Sequence, residues 1–529
     1  MSNRASAFLW WVAVTLVLLA CGGGGSQTQP WIGPDAGKAR DAGKADTGAR
    51  AGEQLPDAAA IGGAVRMTPE QLRDPETCKS CHPKHYEEWS SSMHAYSAQD
   101  PVFIAMNKRG QRETGGALGD FCVKCHAPMA VADGLTKDGL NLDQLADRKR
   151  GVSCYFCHNA VEVQDDHNGK LRIANDDVMR GPFADAVESG AHDSAFTALF
   201  DYGRPEHNAM CGGCHDIVLD SGVELERTFR EFNAGLFGQR PMEGTSTLET
   251  CASCHMHGRK DVAAVTPAAP QRVAHEHLWP GIDVALTDFP NKAALRSAVE
   301  DCQLGLASVA FFTLDVTPPN VFTFKVETNA GHNQPSGAAQ DRRMWLEVSA
   351  YDADGKLIES SSSGIIGDQE IEEKPVGDPR HDPRLWMFRD RIFDKAGEPT
   401  HMFWEAAPSA AHPKGYETNT LEVRKETLGF GTHPVSKAYE LPGAGGAATP
   451  ARVTARLRMR PIGMDVLQDL VESGDLDQAV LKEMPTFTFR AQLEWKAADG
   501  FNTTIMAQPL TDCSSYTCML DPAAAGCSK

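Results

Sequence analysis

Hydrophobic and polar residues alternate along the C-terminal part of the chain. After about residue 300 the runs "VAFFTLDV", "VFTFKVET", "MWLEVSAY", "KLIES", "ARVTARLRMR" and "TFTFRAQLEW" are rich in aromatic and β-branched residues with a period of two. That period puts one set of side chains on one face of a strand, and "DADG" joins two of the runs as a hairpin. Six such segments predict an antiparallel β-sandwich over residues 301–529.

The N-terminus carries a different pattern. Arg4 precedes a continuous apolar run, Ala7 to Ala20, which ends in "LLAC" at Cys21. Residues 1–21 therefore resemble a bacterial lipoprotein signal, with Cys21 as the lipidated first residue of the mature chain. The run is shorter than the ~20 apolar residues a bilayer span needs, so an uncleaved anchor is the weaker reading. Residues 22–66, rich in Gly, Ala, Asp and Lys with "DAGKA" nearly repeated, cannot bury enough apolar surface to fold and read as a tether. As a coil of about 45 residues it spans roughly 35–40 Å. The folded part is thus expected outside the cytoplasm, in the periplasm or at the cell surface, and Gly22 after the cysteine points by analogy to the outer membrane.

Composition changes the picture at two points. A net charge of -20 with a pI near 5.3 argues against a nucleic-acid surface, which needs clustered Lys and Arg, and would favour basic partners or simply maintain solubility. The second point is chemical: fifteen cysteines and eighteen histidines are present, and ten of the cysteines share one spacing.

Five C-x-x-C-H motifs run from residue 78 to 255: "CKSCH" (Cys78, Cys81, His82), "CVKCH" (Cys122, Cys125, His126), "CYFCH" (Cys154, Cys157, His158), "CGGCH" (Cys211, Cys214, His215) and "CASCH" (Cys251, Cys254, His255). This is the attachment signal for c-type haem. Two thiols three residues apart lie on one side of a helical turn, where each can add to a haem vinyl group, and the next imidazole meets the iron from that face. Zinc ribbons, redox-active C-x-x-C pairs and plain disulfides do not require that histidine. The sequence thus implies five covalently bound haem c groups. Fewer than 40 residues per motif cannot build a conventional core. Residues 67–300 are therefore expected to be a haem-packed domain of short helices and irregular loops.

Thirteen histidines remain for the opposite faces of the irons. His85 and His257 follow their own proximal ligands too closely to swing round to the far side, though each could serve a neighbouring haem. His94 follows "YEEWSSSM", where serines can break a helical turn and redirect the chain. His192 and His207 lie between the third and fourth motifs, and His275 and His277 follow the last. Met93, Met106, Met129, Met210 and Met256 also lie near motifs, where thioethers either ligate or fill gaps around a porphyrin.

With these residues assembled, residues 76–282 resemble the multihaem cytochrome c family related to the tetrahaem electron acceptor of hydroxylamine oxidoreductase. The matching phrases are "CKSCHPKHYEEWSSSMHA", "DFCVKCHAP", "GVSCYFCHNAV", "MCGGCHD", "CASCHMHG" and "HEHLWPGID". The resemblance implies distal ligands at His94, His192 and His277, and a fourth at His332 in the loop "NAGHNQPSG", which would make the β-domain a lid supplying one ligand. Five motifs exceed the family's four, and His207 is assigned to the haem left over, with a five-coordinate iron as the alternative.

Cys302, Cys513, Cys518 and Cys527 are the cysteines left after Cys21 and the motifs. An oxidising compartment favours their pairing, and Cys513–Cys518 with Cys302–Cys527 is one of three arrangements. The leading functional reading is an extracytoplasmic electron-transfer protein with mostly bis-His haems, exchanging electrons with redox partner proteins and tethered to a membrane through Cys21. The alternative is a reductase or oxidase of small nitrogen or sulfur compounds at a five-coordinate haem. A third reading, compatible with the first, makes the β-domain a module that docks the carrier to a membrane complex.

Overall fold

The computed structural model describes residues 66–187, 189–239, 249–266, 269–300, 311–328, 330–423, 434–500 and 504–506. Residues 1–21 and 22–65, expected from the sequence to be a signal and most of a tether, and Cys302, Cys513, Cys518 and Cys527 lie outside them. The described residues belong to one compact unit, and no helix among them is long and apolar enough to cross a membrane.

From residue 66 to 300 the elements are short. The helices begin where a capping side chain precedes proline: Thr68 before Pro69, Asp74 before Pro75, Asp100 before Pro101. Proline at the first helical position sacrifices an N–H that has no intrahelical partner, while the cap accepts from the next free ones. The longest of these helices is Pro101–Glu113, whose cap Asp100 accepts from Val102 N at 2.8 Å. Two-stranded ribbons fill the gaps, among them Gly258–Val262 with Gln271–His275 and the parallel pair Val178–Gly181 with Asp193–Phe196.

Beyond residue 310 the chain forms two larger sheets. Four strands run in the order Val435–Glu440, Val321–Glu327, Phe311–Thr317, Thr504–Met506. The other sheet runs Pro399–Thr400, Trp386–Phe393, Arg343–Tyr351, Arg452–Arg460, Phe487–Lys496, with Tyr416–Asn419 also on Trp386–Phe393. Register explains the shared core. Phe322 stands opposite Val316 and Phe324 opposite Leu314, so alternate residues reach one face. There they join Met344, Leu346, Val348, Val453, Leu457, Phe489 and Trp495 from the other sheet.

Arg343–Tyr351 is buried on both faces. Its outer face carries Trp345, which donates to Gly364 O at 3.0 Å, and Glu347, which accepts from Arg456 and Arg458 at 2.8 and 2.7 Å. Charges are also buried here: Arg343, fully enclosed, meets both oxygens of Asp465 at 2.8 Å, and Arg460 pairs with Glu372. Burial alone would raise the Asp465 carboxyl, but Arg343 and His401 hold it well below the usual carboxylate range.

Two details depart from the alternation. "KLIES" makes only an isolated bridge, Tyr351 to Leu357, before turning into a short 3₁₀ helix at Glu359–Ser361. The "DADG" turn is present, with Gly355 at φ 80°, but it leads to no second strand. Conversely, Met464–Glu472 is an amphipathic helix burying Met464, Val466, Leu467 and Leu470. This helix joins the two halves. Its apolar face shares a cluster with Val102 and Ala105 of Pro101–Glu113, and Arg109 and Arg112 pair with Asp469 and Asp475 at 3.0 and 2.5 Å.

Asp465→Ala should leave the enclosed Arg343 without its carboxylate. A loss of about 3–5 kcal/mol is expected, read as a lowered midpoint in denaturant unfolding.

Candidate functional site

Each C-x-x-C-H motif is a single helical turn. The histidine N–H closes onto the first cysteine's carbonyl, at 2.8 Å for His82 to Cys78, 3.3 Å for His126 to Cys122 and 3.0 Å for His215 to Cys211. Cys154–His158 and Cys251–His255 are helices capped by Ser153 and Thr250. Thiol pair and imidazole therefore leave each turn on related sides, as the spacing predicts.

All ten motif thiols line one internal cavity of about 1700 Å³, larger than the roughly 300–1,000 Å³ of an ordinary small-molecule site. Apolar surroundings push Cys122 and Cys157 up to about 12 and Cys254 up to about 11. Thiols of different motifs also lie close enough to influence one another's ionisation: Cys78 and Cys154, Cys125 and Cys214, and Cys211 and Cys251. Cys157 lies within electrostatic reach of Cys211. These proximities link the first motif to the third, the second to the fourth and the fourth to the fifth, with a longer-range electrostatic link between the third and the fourth.

The imidazoles are oriented by carbonyls from remote segments. Nδ1 of His82 lies 2.7 Å from Ala263 O, that of His126 3.1 Å from Ser97 O, that of His158 2.6 Å from Arg180 O, and that of His255 2.8 Å from Pro280 O. A carbonyl only accepts, so Nδ1 carries the proton and Nε2 is left free to bind a metal. His215 differs, with Nδ1 3.7 Å from the Glu226 carboxylate. Burial holds His82 and His255 down to about 4 and lowers His126 and His158, keeping these rings neutral. Burial also acts on His215, but Glu226 more than offsets it and the result is raised.

Four of the five motif histidines face a second histidine. Ring centres are 6.5 Å apart for His82 and His192, 6.2 Å for His158 and His277, 6.1 Å for His94 and His215, and 6.3 Å for His255 and His332. Two imidazoles bound on opposite sides of one metal ion at ~2 Å each have ring centres roughly 6 Å apart. Three of the facing rings are also tied through Nδ1 to a carbonyl: His192 to Asp193 at 3.0 Å, His277 to His275 at 3.0 Å, and His332 to Asn333 at 2.8 Å. Burial lowers His94 to about 3 and also lowers His277 and His332. A thiol pair, a proximal imidazole and an opposed imidazole at this separation are the donor set for covalently attached haem.

The second motif is the exception. No histidine among the described residues faces His126; Phe103 stacks on its ring at 4.0 Å and 5°. His207, expected to serve the remaining haem, is not brought opposite any motif histidine. It is buried beside Tyr202, its Nδ1 is held by Leu199 O at 2.9 Å, and its Nε2 has no hydrogen-bond partner. Being four residues ahead of Cys211 on the same helix, it is carried by Pro205–Gly212 rather than by a loop free to cross to another motif. His275 stacks on Tyr202 at 3.6 Å, and His85 sits edge-on to His277 at 4.8 Å. Met129, Met210 and Met256 are buried side chains of the packing.

Sequence reasoning missed the side chains that hold the ligand segments. Glu88, in "YEEW", accepts from His277 N at 3.0 Å and pairs with Arg259 at 2.7 Å. Glu231, half-buried and raised to about 7 by desolvation, accepts from Ser336 Oγ at 2.6 Å and Asn333 N at 3.2 Å, clamping the loop that carries His332. Arg342 closes the same loop by meeting Asp283 at 3.1 and 2.9 Å. Only tertiary contact reveals these roles.

Residues 77–159, which span the first three motifs, match the family described as cytochrome c554 and c-prime. The structure is also similar to that of a penta-heme cytochrome c552 from Thermochromatium tepidum, at 21% identity and a TM-score of 0.52, covering 80% of this chain and 99% of that one. The chain has the fold of a multihaem c-type cytochrome. No curated protein matches it. The imidazole that faces His255 comes from the strand-rich half, on His332.

His332→Ala should leave haem attachment intact and convert one low-spin haem to high spin in the absorption and electron paramagnetic resonance spectra. Glu231→Ala should loosen the same loop, at a cost of about 1–3 kcal/mol for its two stranded donors, and raise the high-spin fraction without abolishing the low-spin form.

Proposed function

We propose that the protein is an extracytoplasmic pentahaem electron-transfer protein with four bis-His sites. The observation that carries this reading is the set of four imidazole pairs, each straddling the position of an iron beside its own cysteine pair. Each haem, when bound, supplies an iron that cycles between Fe(II) and Fe(III). The chain's own part is to keep Nε2 of the carbonyl-bound imidazoles bare and to gather all five cysteine pairs around one cavity. The placement of all five motifs around one cavity supports electron exchange along the whole set. The two C-terminal sheets, read as a β-sandwich, brace the fifth site through the His332 loop.

The targeting pattern at residues 1–21 and the tether at 22–66 support export and anchoring by a lipid on Cys21, in the periplasm or at the cell surface of the outer membrane. The acidic balance of the chain favours redox partners with basic docking faces. Cys21→Ser should shift the protein from the membrane to the soluble fraction of the cell while keeping its haems.

A second reading, reduction of small nitrogen or sulfur compounds, is favoured at one place alone, the second motif, where no histidine among the described residues opposes His126. Electron paramagnetic resonance separates the two. A pure carrier gives a spectrum indifferent to nitrite and hydroxylamine. A stoichiometric high-spin signal that shifts on adding either compound decides for a substrate site at the second haem.

A further inference from the structure

Three of the four facing pairs hold their imidazole planes near parallel: 25° for His82 and His192, 15° for His158 and His277, 17° for His255 and His332. The fourth pair, His94 and His215, is crossed at 69°. His94 is also distinct in its support. The other facing rings are tied through Nδ1 to a carbonyl, whereas no hydrogen bond to the His94 ring is present among the described residues. Its neighbour is Trp279, edge-to-face at 4.6 Å and 80°.

Trp279 touches more than one site. Its indole lies 5.0 Å from the His277 ring, at 71°, so one side chain separates the second imidazoles of the third and fourth sites. The next residue, Pro280, gives the carbonyl that orients His255 at the fifth. The backbone at Trp279 has φ 46°, a conformation that a bulky residue rarely adopts and that surrounding contacts must impose. That turn is what aims the indole between the two imidazoles. On the haem ligation put forward above, we propose that Trp279 is a positioning residue that holds His94 crosswise to His215 and so gives the fourth haem a ligand field unlike that of its neighbours.

Plane angle has a direct spectroscopic signature. Parallel imidazoles split the iron dπ orbitals and give a rhombic low-spin ferric signal, while crossed imidazoles leave those orbitals nearly degenerate and give a single feature at large gmax. The oxidised native protein should therefore show one large-gmax haem beside three rhombic ones. Trp279→Gly removes the indole and suits the positive φ, and Trp279→Leu removes the aromatic edge while keeping bulk. Both should lose the large-gmax feature and gain a fourth rhombic signal, with haem content unchanged by pyridine haemochrome assay. Trp279→Phe should retain it. A large-gmax feature that persists in the glycine or leucine variant overturns the role of Trp279 while leaving the haem reading standing. A native spectrum with no such feature overturns the His94–His215 ligation and the proposal with it.

Discussion

The bond between an imidazole Nδ1–H and a backbone carbonyl is the interaction on which the arrangement depends. It fixes the tautomer, the ring's rotation and the direction of the bare Nε2 together. In four motifs the carbonyl belongs to another segment: Ala263 for His82, Ser97 for His126, Arg180 for His158, Pro280 for His255. A chain with few residues per motif therefore uses its loops as ligand supports. Ala263, Ser97 and Pro280 lie outside helix and strand, where the carbonyl is not taken up by a ladder, while Arg180 gives its carbonyl from the edge of a two-stranded ribbon.

The strand-rich half solves a complementary problem. Residues 66–300 include a small apolar cluster around Val123 and Ala130, whereas the two sheets enclose a large core that Ile282, Val284, Leu295 and Val299 also join. Rigidity is passed across by Met464–Glu472 against Pro101–Glu113 and by Glu231, Thr228 and Asp283 gripping residues 333–342. The buried Arg343–Asp465 and Arg460–Glu372 pairs sit behind that junction and fix its register.

The motif cysteines and histidines were legible because their chemistry is local: spacing within five residues defines each one. The strands with clean alternation, such as Val321–Glu327, were legible for the same reason. "KLIES" was not a strand because its pairing with Tyr351 stops at a single bridge, the chain turning into a 3₁₀ helix at Glu359. Met464–Glu472 had a usable signal in Met464, Leu467 and Leu470, spaced three apart on one face. Facing histidines lie at long range, so the sequence offered a supply without assigning pairs. His207 shows the limit, since its position near a motif looked like that of a ligand, while among the described residues its ring is packed on Tyr202 and held by Leu199 O. Nothing local marked Glu226, Glu231 or Trp279, whose roles exist only after distant segments meet.

The origin of His332 has a consequence for biogenesis. The polypeptide is made from its amino end, so on the export proposed above all five cysteine pairs would reach the haem-attachment compartment and become available for thioether formation before residue 332 arrives. On the ligation proposed, the fifth haem must wait as an open-sided intermediate until the later strands have folded and delivered their loop. Completion of that site then reports that the whole chain has matured, and a nascent protein halted earlier would be recognisable to quality control by one exposed, reactive iron.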